Sequence, residues 1–200
     1  MPYSPLKYEM ISDRNTKKIF LHANSFLFDT FNMFDKLPNK GGGGGNFSIV
    51  LVLLCIIDGF ATEIWPRREL VSDQEQRFKQ LIRDRLPWGP EGKEKWLNKG
   101  IAADQLYTEF RNPLTHELGK DKPATSRFSG FGEPLIGKWD QIPPDMQDIS
   151  KIDALPIWNE EWPILRESKD SNGSPCLKLN AAAFYWAVKV LAKAMAAEAL

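Results

Sequence analysis

The pattern of apolar and polar positions predicts a chain built mainly of helices. Over residues 12–35, apolar side chains recur every three or four positions, which is the spacing of one face of an amphipathic helix. Ser12 or Asp13 can cap this helix, and His22 lies beside the stripe, where we expect a surface or boundary histidine. The stripe consists of Ile19, Phe20, Ala23, Phe26, Leu27, Phe31 and Phe34.

A second segment is almost uniformly apolar. Its unbroken part, from Ile49 to Ile57, is far shorter than the ~20 residues that a bilayer requires, and Asp58 then interrupts it. We therefore expect a helix over residues 46–64 that is fully buried in a globular core, with Cys55 as a small core residue. The five glycines before it lack the Lys-Ser/Thr of a phosphate-binding P-loop, so they favour a flexible connection.

Three further helices are predicted, over residues 72–86, 96–118 and 178–199. The first opens with "SDQE", a capping box that begins at Ser72, and presents Phe78, Leu81 and Ile82 inward. Its basic residues, Arg77, Lys79, Arg83 and Arg85, are expected on a solvated face. The second should bury Leu106, Tyr107 and Phe110, and the third is rich in alanine, with Asn180 as a plausible cap.

Between the last two helices, residues 120–176 form an irregular insertion that is rich in proline and tryptophan. We expect a loop packed on the helical core or a short β-hairpin, for which "FGEPLIGKWDQIPP" is the candidate. The predicted fold class is accordingly all-α: one helical bundle over residues 1–200 with this insertion before the C-terminal helix.

Composition and charge reduce the number of function classes that fit this chain. The formal net charge is zero, which argues against a protein that coats nucleic acid through bulk electrostatics. Two cysteines, Cys55 and Cys176, make no disulfide framework, although one bridge between them is compatible with the sequence. The N-terminus has neither an apolar signal core nor an Arg-rich pattern, so we expect a cytoplasmic protein that does not enter the membrane. No Cys/His cluster supports a metal site, and no cofactor is expected.

Candidate chemistry lies in "RNPLTHELG", from Arg111 to Gly119. On a straight helix, Arg111 would point about 140° away from His116, so the two side chains would not converge. Pro113 disfavours a straight helix. Either the long helix ends near Arg111 and Asn112 caps a new short helix, or one helix kinks; both allow Arg111 to approach His116.

Arginine and histidine together suit phosphodiester chemistry. Arginine binds phosphate oxygens through two N–H groups, and histidine accepts and donates protons near neutral pH. His116 would act as base or acid while a 2′-hydroxyl of RNA attacks its own phosphodiester, and Arg111 would hold the charge that builds on phosphorus. The competing interpretation is a helix end where both side chains only bond to backbone carbonyls.

The motif also resembles that of a known group of small helical domains. "RNPLTH" at a predicted helix end is similar to the R-N-x3-H motif of the HEPN superfamily, which includes RNase toxins. "GGGGGNFSIVLVLLCIIDGF" and "LYTEFRNPLTHELG" resemble segments of a HEPN-like bacterial family. The resemblance covers roughly residues 12–119 and the terminal helix.

This resemblance implies a catalytic pair, Arg111 and His116, with Asn112 as the polar residue after the arginine. It also implies a homodimer in which two motifs line one cleft, RNA or a nucleotide as ligand, and an antitoxin as a protein partner. Asp58 is our choice for an auxiliary acid on another helix, with a hydrogen-bonded buried carboxylate as the equal alternative, and Glu109 is the second choice. The sequence thus supports a metal-independent endoribonuclease; the alternative is a non-catalytic helical dimerisation or nucleotide-binding module.

Overall fold

The computed structural model describes residues 5–36, 44–65, 70–88, 98–112, 126–129, 164–169, 173 and 175–200. The helices in this part are α1 (Arg14–Lys36), α2 (Gly44–Glu63), α3 (Gln74–Arg85), α4 (Lys99–Gln105), the π-helix π1 (Leu106–Arg111) and α5 (Ala181–Glu198). The strands are β1 (Ser126–Ser129), β2 (Leu165–Lys169) and β3 (Pro175–Asn180). The predicted fold class, an all-α helical bundle, is confirmed in this part of the chain. The insertion was predicted as a loop or a short β-hairpin, and its described parts contribute to a three-stranded sheet.

Helix α1 follows the predicted stripe closely. Asp13 caps it, since its Oδ2 accepts a hydrogen bond of 2.7 Å from the backbone N–H of Thr16. Phe20 and Leu27 are fully buried. Phe26 is 44% exposed, so the prediction is wrong for this residue. Consecutive side chains of a helix point about 100° apart, and the neighbouring Leu27 takes the buried position.

Helix α2 lies at the centre of the bundle, in contact with α1, α3 and α5. It begins at Gly44, so the last two glycines of the run belong to the helix instead of the predicted loop. The prediction of a fully buried helix is wrong for one face: Cys55 is exposed and Asp58 is half-buried. A Cβ on Gly59 would meet no described atom within 4 Å, so the described residues do not cover α2 at this position. None of the described helices has the length and apolarity to cross a membrane.

Helix α3 begins one residue later than its capping box predicted. Asp73, not Ser72, is the cap, and its Oδ1 accepts a hydrogen bond of 2.8 Å from the backbone N–H of Gln76. The inward residues Phe78, Leu81 and Ile82 are buried as predicted. Arg77, expected on the solvated face, is buried instead, because its Nη2 donates a bond of 2.6 Å to the carbonyl of Thr62 on α2.

The helix predicted over residues 96–118 starts later and changes type. Asn98 caps α4 by accepting a hydrogen bond of 2.9 Å from the N–H of Gly100. From Leu106 the helix continues as π1, a turn in which each N–H bonds five residues back instead of four. Residues 113–118 lie outside the described part of the chain. Leu106, Tyr107 and Phe110 are buried, as predicted.

Strands β1 to β3 form one sheet in the order β1-β3-β2, with β1 parallel and β2 antiparallel to β3. The hairpin is therefore formed by β2 and β3, while the segment expected to form it, residues 131–144, lies outside the described residues. Gly173, between β2 and β3, has a φ of 80°, which glycine adopts without strain.

The last helix starts at Ala181, directly after the predicted cap residue Asn180 and three residues later than the predicted start at 178. Leu177 and Leu179 are both buried, and this alternation is the period of a strand that packs one face on the core. Helix α5 then packs against α1 and α2 and contributes buried side chains along most of its length. That the whole of residues 1–200 is one domain stays a prediction.

Candidate functional site

The candidate site begins with the π-turn that ends at Arg111. The backbone N–H of Asn112 bonds to the carbonyl of Tyr107, five residues earlier. Proline at position 113 has no N–H with which to continue an α-helical ladder to the carbonyl of Glu109, and its ring clashes with that carbonyl in a regular helix. The structure has a π-turn before this position, and Asn112 keeps helical backbone angles (φ −63°, ψ −52°), so it does not have the extended conformation of the helix N-cap that one prediction assigned to it. Single π-turns are rare and frequently occur at functional sites.

Arg111 forms an ion pair with Asp58 of α2. Its Nη2 donates to both carboxylate oxygens, at 3.1 Å to Oδ2 and 3.3 Å to Oδ1. Its Nη1 donates to the side-chain oxygen of Asn112 at 3.0 Å. The arginine side chain is 10% exposed and that of Asp58 is 27% exposed, so water reaches the pair mainly from the carboxylate side.

A third element holds the carboxylate. Gln74, the first residue of α3, directs its Nε2 at the two oxygens of Asp58, at 3.3 and 3.4 Å, and at Oγ1 of Thr62, at 3.3 Å. Asp58 and Thr62 lie four residues apart on α2, so they share one face of that helix. The site thus joins α2, the start of α3 and the end of π1.

The Arg111 guanidinium also lies over the ring of Tyr107, with 5.2 Å from Cζ to the ring centroid. The Nζ of Lys79 lies over the same ring at 5.4 Å. Phe78 meets Tyr107 edge-on, with ring centroids 5.4 Å apart. Burial raises the pKa of the Tyr107 hydroxyl, although the nearby Arg111 charge opposes that shift. Tyr107 therefore stays a neutral ring at physiological pH.

Cys55 lies one turn before Asp58 on α2, and it is exposed. The prediction that it is a core residue is therefore wrong. Its thiol is free in the structure. Partial burial, followed by the negative charge of Asp58, raises the pKa of the thiol, which disfavours the reactive thiolate.

The structure brings together three of the five predicted site residues: Arg111, Asn112 and Asp58. Glu109 is half-buried on π1. His116 lies outside the described residues, so its position relative to Arg111 stays a prediction. The other histidine, His22, is exposed on α1, as expected.

Sequence reasoning missed Gln74 and Thr62 and placed Tyr107 only in the core. The four-residue spacing of Asp58 and Thr62 indicated a polar face on α2. No feature of the sequence near Gln74 indicated that its side chain contacts that face. Among the described residues, no group of three or more His, Cys, Asp or Glu side chains is arranged to hold a metal ion.

The arrangement fixes a guanidinium on the last turn of a helix. An arginine held by a carboxylate, an amide oxygen and a ring cannot rotate freely, so little entropy is lost when it binds an oxyanion. Removal of the Asp58 carboxylate would leave the positive charge of Arg111 buried without this carboxylate beside it. No protein-family model, no curated protein and no solved structure matches this chain.

Proposed function

We propose that the chain is a metal-independent endoribonuclease of the HEPN kind, of the toxin or defence type, that acts in the cytoplasm. The observation that carries this proposal is the placement of Arg111. The arginine of the R-N-x3-H motif is held by Asp58 and Asn112 at the end of π1, five positions before His116 in the sequence. Asp58 was chosen as an auxiliary residue on sequence grounds, and its contact with Arg111 supports that choice.

In the proposed reaction, a 2′-hydroxyl of RNA attacks the adjacent phosphorus, and the bond to the 5′-oxygen breaks. The products are a 2′,3′-cyclic phosphate and a 5′-hydroxyl. His116 takes the proton of the 2′-hydroxyl or returns one to the leaving 5′-oxygen. Arg111 stabilises the negative charge that builds on the phosphoryl oxygens, and Asp58 keeps its guanidinium in place.

The proposal includes a homodimer, because one motif supplies one histidine whereas the reaction uses both a base and an acid. Two motifs that line a shared cleft would supply both groups. For a chain that acts as a toxin, the proposed protein partner is an antitoxin that covers this cleft.

The test is the cleavage of single-stranded RNA in EDTA by the wild type and four variants. Arg111→Ala and His116→Ala should each lower the rate about 10²- to 10³-fold, since each removes a group that acts on the transition state. Two matched controls, Arg83→Ala and His22→Ala, remove exposed residues of the same types and should retain the wild-type rate. Cleavage that survives both motif substitutions would refute the proposal.

A second candidate function is favoured by the burial of Arg111. A guanidinium that is mostly enclosed and paired with Asp58 also fits a non-catalytic dimerisation or nucleotide-binding module in which the cluster is structural. In that case the wild type does not cleave RNA, and His116→Ala lowers the free energy of unfolding by about 1–2 kcal/mol through a lost buried hydrogen bond. Unchanged unfolding of that variant in urea would count against this candidate.

A further inference from the structure

The ring of Tyr107 is shared by two cations. Arg111 and Lys79 both lie over it, at 5.2 and 5.4 Å from the centroid. Two positive charges near one ring would normally repel each other. Here each has its own carboxylate: Arg111 pairs with Asp58, whereas Lys79 pairs with Glu75 at 2.7 Å and with Asp104 at 2.9 Å.

We propose that Tyr107 is a positioning residue, whose ring fixes the Arg111 guanidinium in the orientation that the reaction requires. Hydrogen bonds from Nη2 to Asp58 and from Nη1 to Asn112 hold the two terminal nitrogens of the guanidinium. These bonds alone allow the plane of the guanidinium to tilt about the line that joins the two nitrogens. The electron-rich face of Tyr107 opposes that tilt, since a cation is attracted to the face of an aromatic ring.

The ring is itself well fixed. Tyr107 is 7% exposed, and Phe78, which is fully buried, contacts it edge-on. It lies at the start of π1, and its backbone carbonyl accepts the hydrogen bond from Asn112 that closes the turn. The same residue therefore anchors the backbone of the turn and supports the side chain at its end.

Only the aromatic ring is needed for this role. Tyr107→Phe keeps the face, whereas Tyr107→Leu removes it and leaves an apolar side chain. The kinetic consequence of this inference rests on the proposed nuclease function. Because Arg111 acts on charge that develops in the transition state, its misorientation should lower kcat more than it raises KM.

The experiment has two arms that separate the inference from the proposed function. In the first, the ¹H–¹⁵N resonances of the Arg111 guanidinium are identified as the side-chain signals lost in Arg111→Lys. Separate Nη1 and Nη2 signals, which indicate that the guanidinium is restrained, should persist in Tyr107→Phe and merge in Tyr107→Leu. Phe60→Leu serves as the control, since it removes a fully buried ring that contacts Phe20 in the core. It should leave the Arg111 signal unchanged.

In the second arm, RNA cleavage in EDTA is measured for the same variants. Tyr107→Leu should lower kcat about tenfold, with KM within about twofold of the wild type, and Tyr107→Phe should restore kcat. Separate Nη1 and Nη2 signals of Arg111 in Tyr107→Leu overturn the inference, as does wild-type cleavage that this variant retains. If the wild type does not cleave RNA, the proposed function fails, and the resonance alone decides whether Tyr107 positions Arg111.

Discussion

At the scale of single residues, the site was predictable where local chemistry marks a position. Arg111 and Asn112 belong to a short motif, and Asp58 is a charge beside an apolar run. The contact between Arg111 and Asp58 joins residues 53 positions apart and depends on how α2 and π1 pack, so spacing in the sequence did not predict it. Gln74 illustrates the limit, because an exposed glutamine at a helix start gives no sign of its partner.

Lys189 is a residue whose environment the sequence did not reveal. It lies on α5 and is only 4% exposed, over the rings of Trp186 at 5.2 Å and Tyr185 at 5.9 Å. Burial, with a smaller contribution from the positive charge of Lys193, lowers the pKa of Lys189 from 10.5 to about 7. In the unfolded chain the ordinary pKa returns.

This difference predicts how stability depends on pH. Between pH 7 and about 10.5, the unfolded chain keeps a proton on Lys189 that the folded chain has lost, so the free energy of unfolding rises with pH. The limiting slope is about 1.4 kcal/mol per pH unit, and below pH 7 this contribution is constant because both states are protonated. Urea unfolding from pH 6 to 9 should show the rise in the wild type.

Lys189→Met should remove that rise and increase stability at pH 7, since no charge has to be buried. Lys169→Met, at an exposed position of β2, is the matched control and should keep the wild-type pH dependence. Parallel pH curves for the wild type and Lys189→Met would show that Lys189 keeps an ordinary pKa in the fold.

At the scale of elements, periodicity located the helices and missed what depends on tertiary contacts. Helices α1, α2 and α3 match their predicted ranges to within two residues at each end. The π-turn was not predicted, because Pro113 pointed only to a break or a kink in the helix. Residues 178–180 were assigned to the last helix because alanines follow them, whereas pairing with β1 and β2 draws them into a strand.

The start of α3 offers a test at this scale. The backbone N–H of Gln76 bonds to Asp73, so Asp73→Ala should lower the free energy of unfolding by about 1 kcal/mol, the usual cost of a lost helix cap. Ser72→Ala should change it by less than about 0.5 kcal/mol, as is usual for a surface substitution. Chemical denaturation of both variants shows which of the two residues caps α3. A larger loss for Ser72→Ala would place the cap where the capping-box pattern predicted it.

At the scale of the whole molecule, apolar periodicity predicted the bundle because its helices are long and share one core. The core draws on every described helix and on β2 and β3, with α2 at its centre. Periodicity did not predict which apolar residues stay outside, since Phe26 fits the predicted stripe of α1 and yet is exposed. The position of the sheet was not predictable either, because it pairs segments that are distant in the chain.

Two phenylalanines on α1 test the placement of the core. Phe20 is fully buried, and its ring contacts that of Phe60 with centroids 5.4 Å apart, whereas Phe26 is 44% exposed. Phe20→Ala should lower the free energy of unfolding by about 3–5 kcal/mol, the usual cost of a large cavity in a core. Phe26→Ala should cost less than about 1 kcal/mol, since little of its contact area is lost. Equal losses in thermal or urea unfolding would mean that α1 presents a different face to the bundle.

The chemistry of the RNA ends tests the central proposal most directly. We expect the wild type, in EDTA, to leave 2′,3′-cyclic phosphate ends that mass spectrometry identifies, and a substrate with 2′-deoxyribose at the cleaved position to remain intact. His116→Ala should leave no such ends above background, while His22→Ala should leave them in full. Products with a 3′-hydroxyl, cleavage of the 2′-deoxy substrate, or the same cyclic ends from His116→Ala would contradict the proposal that Arg111 and His116 cleave RNA.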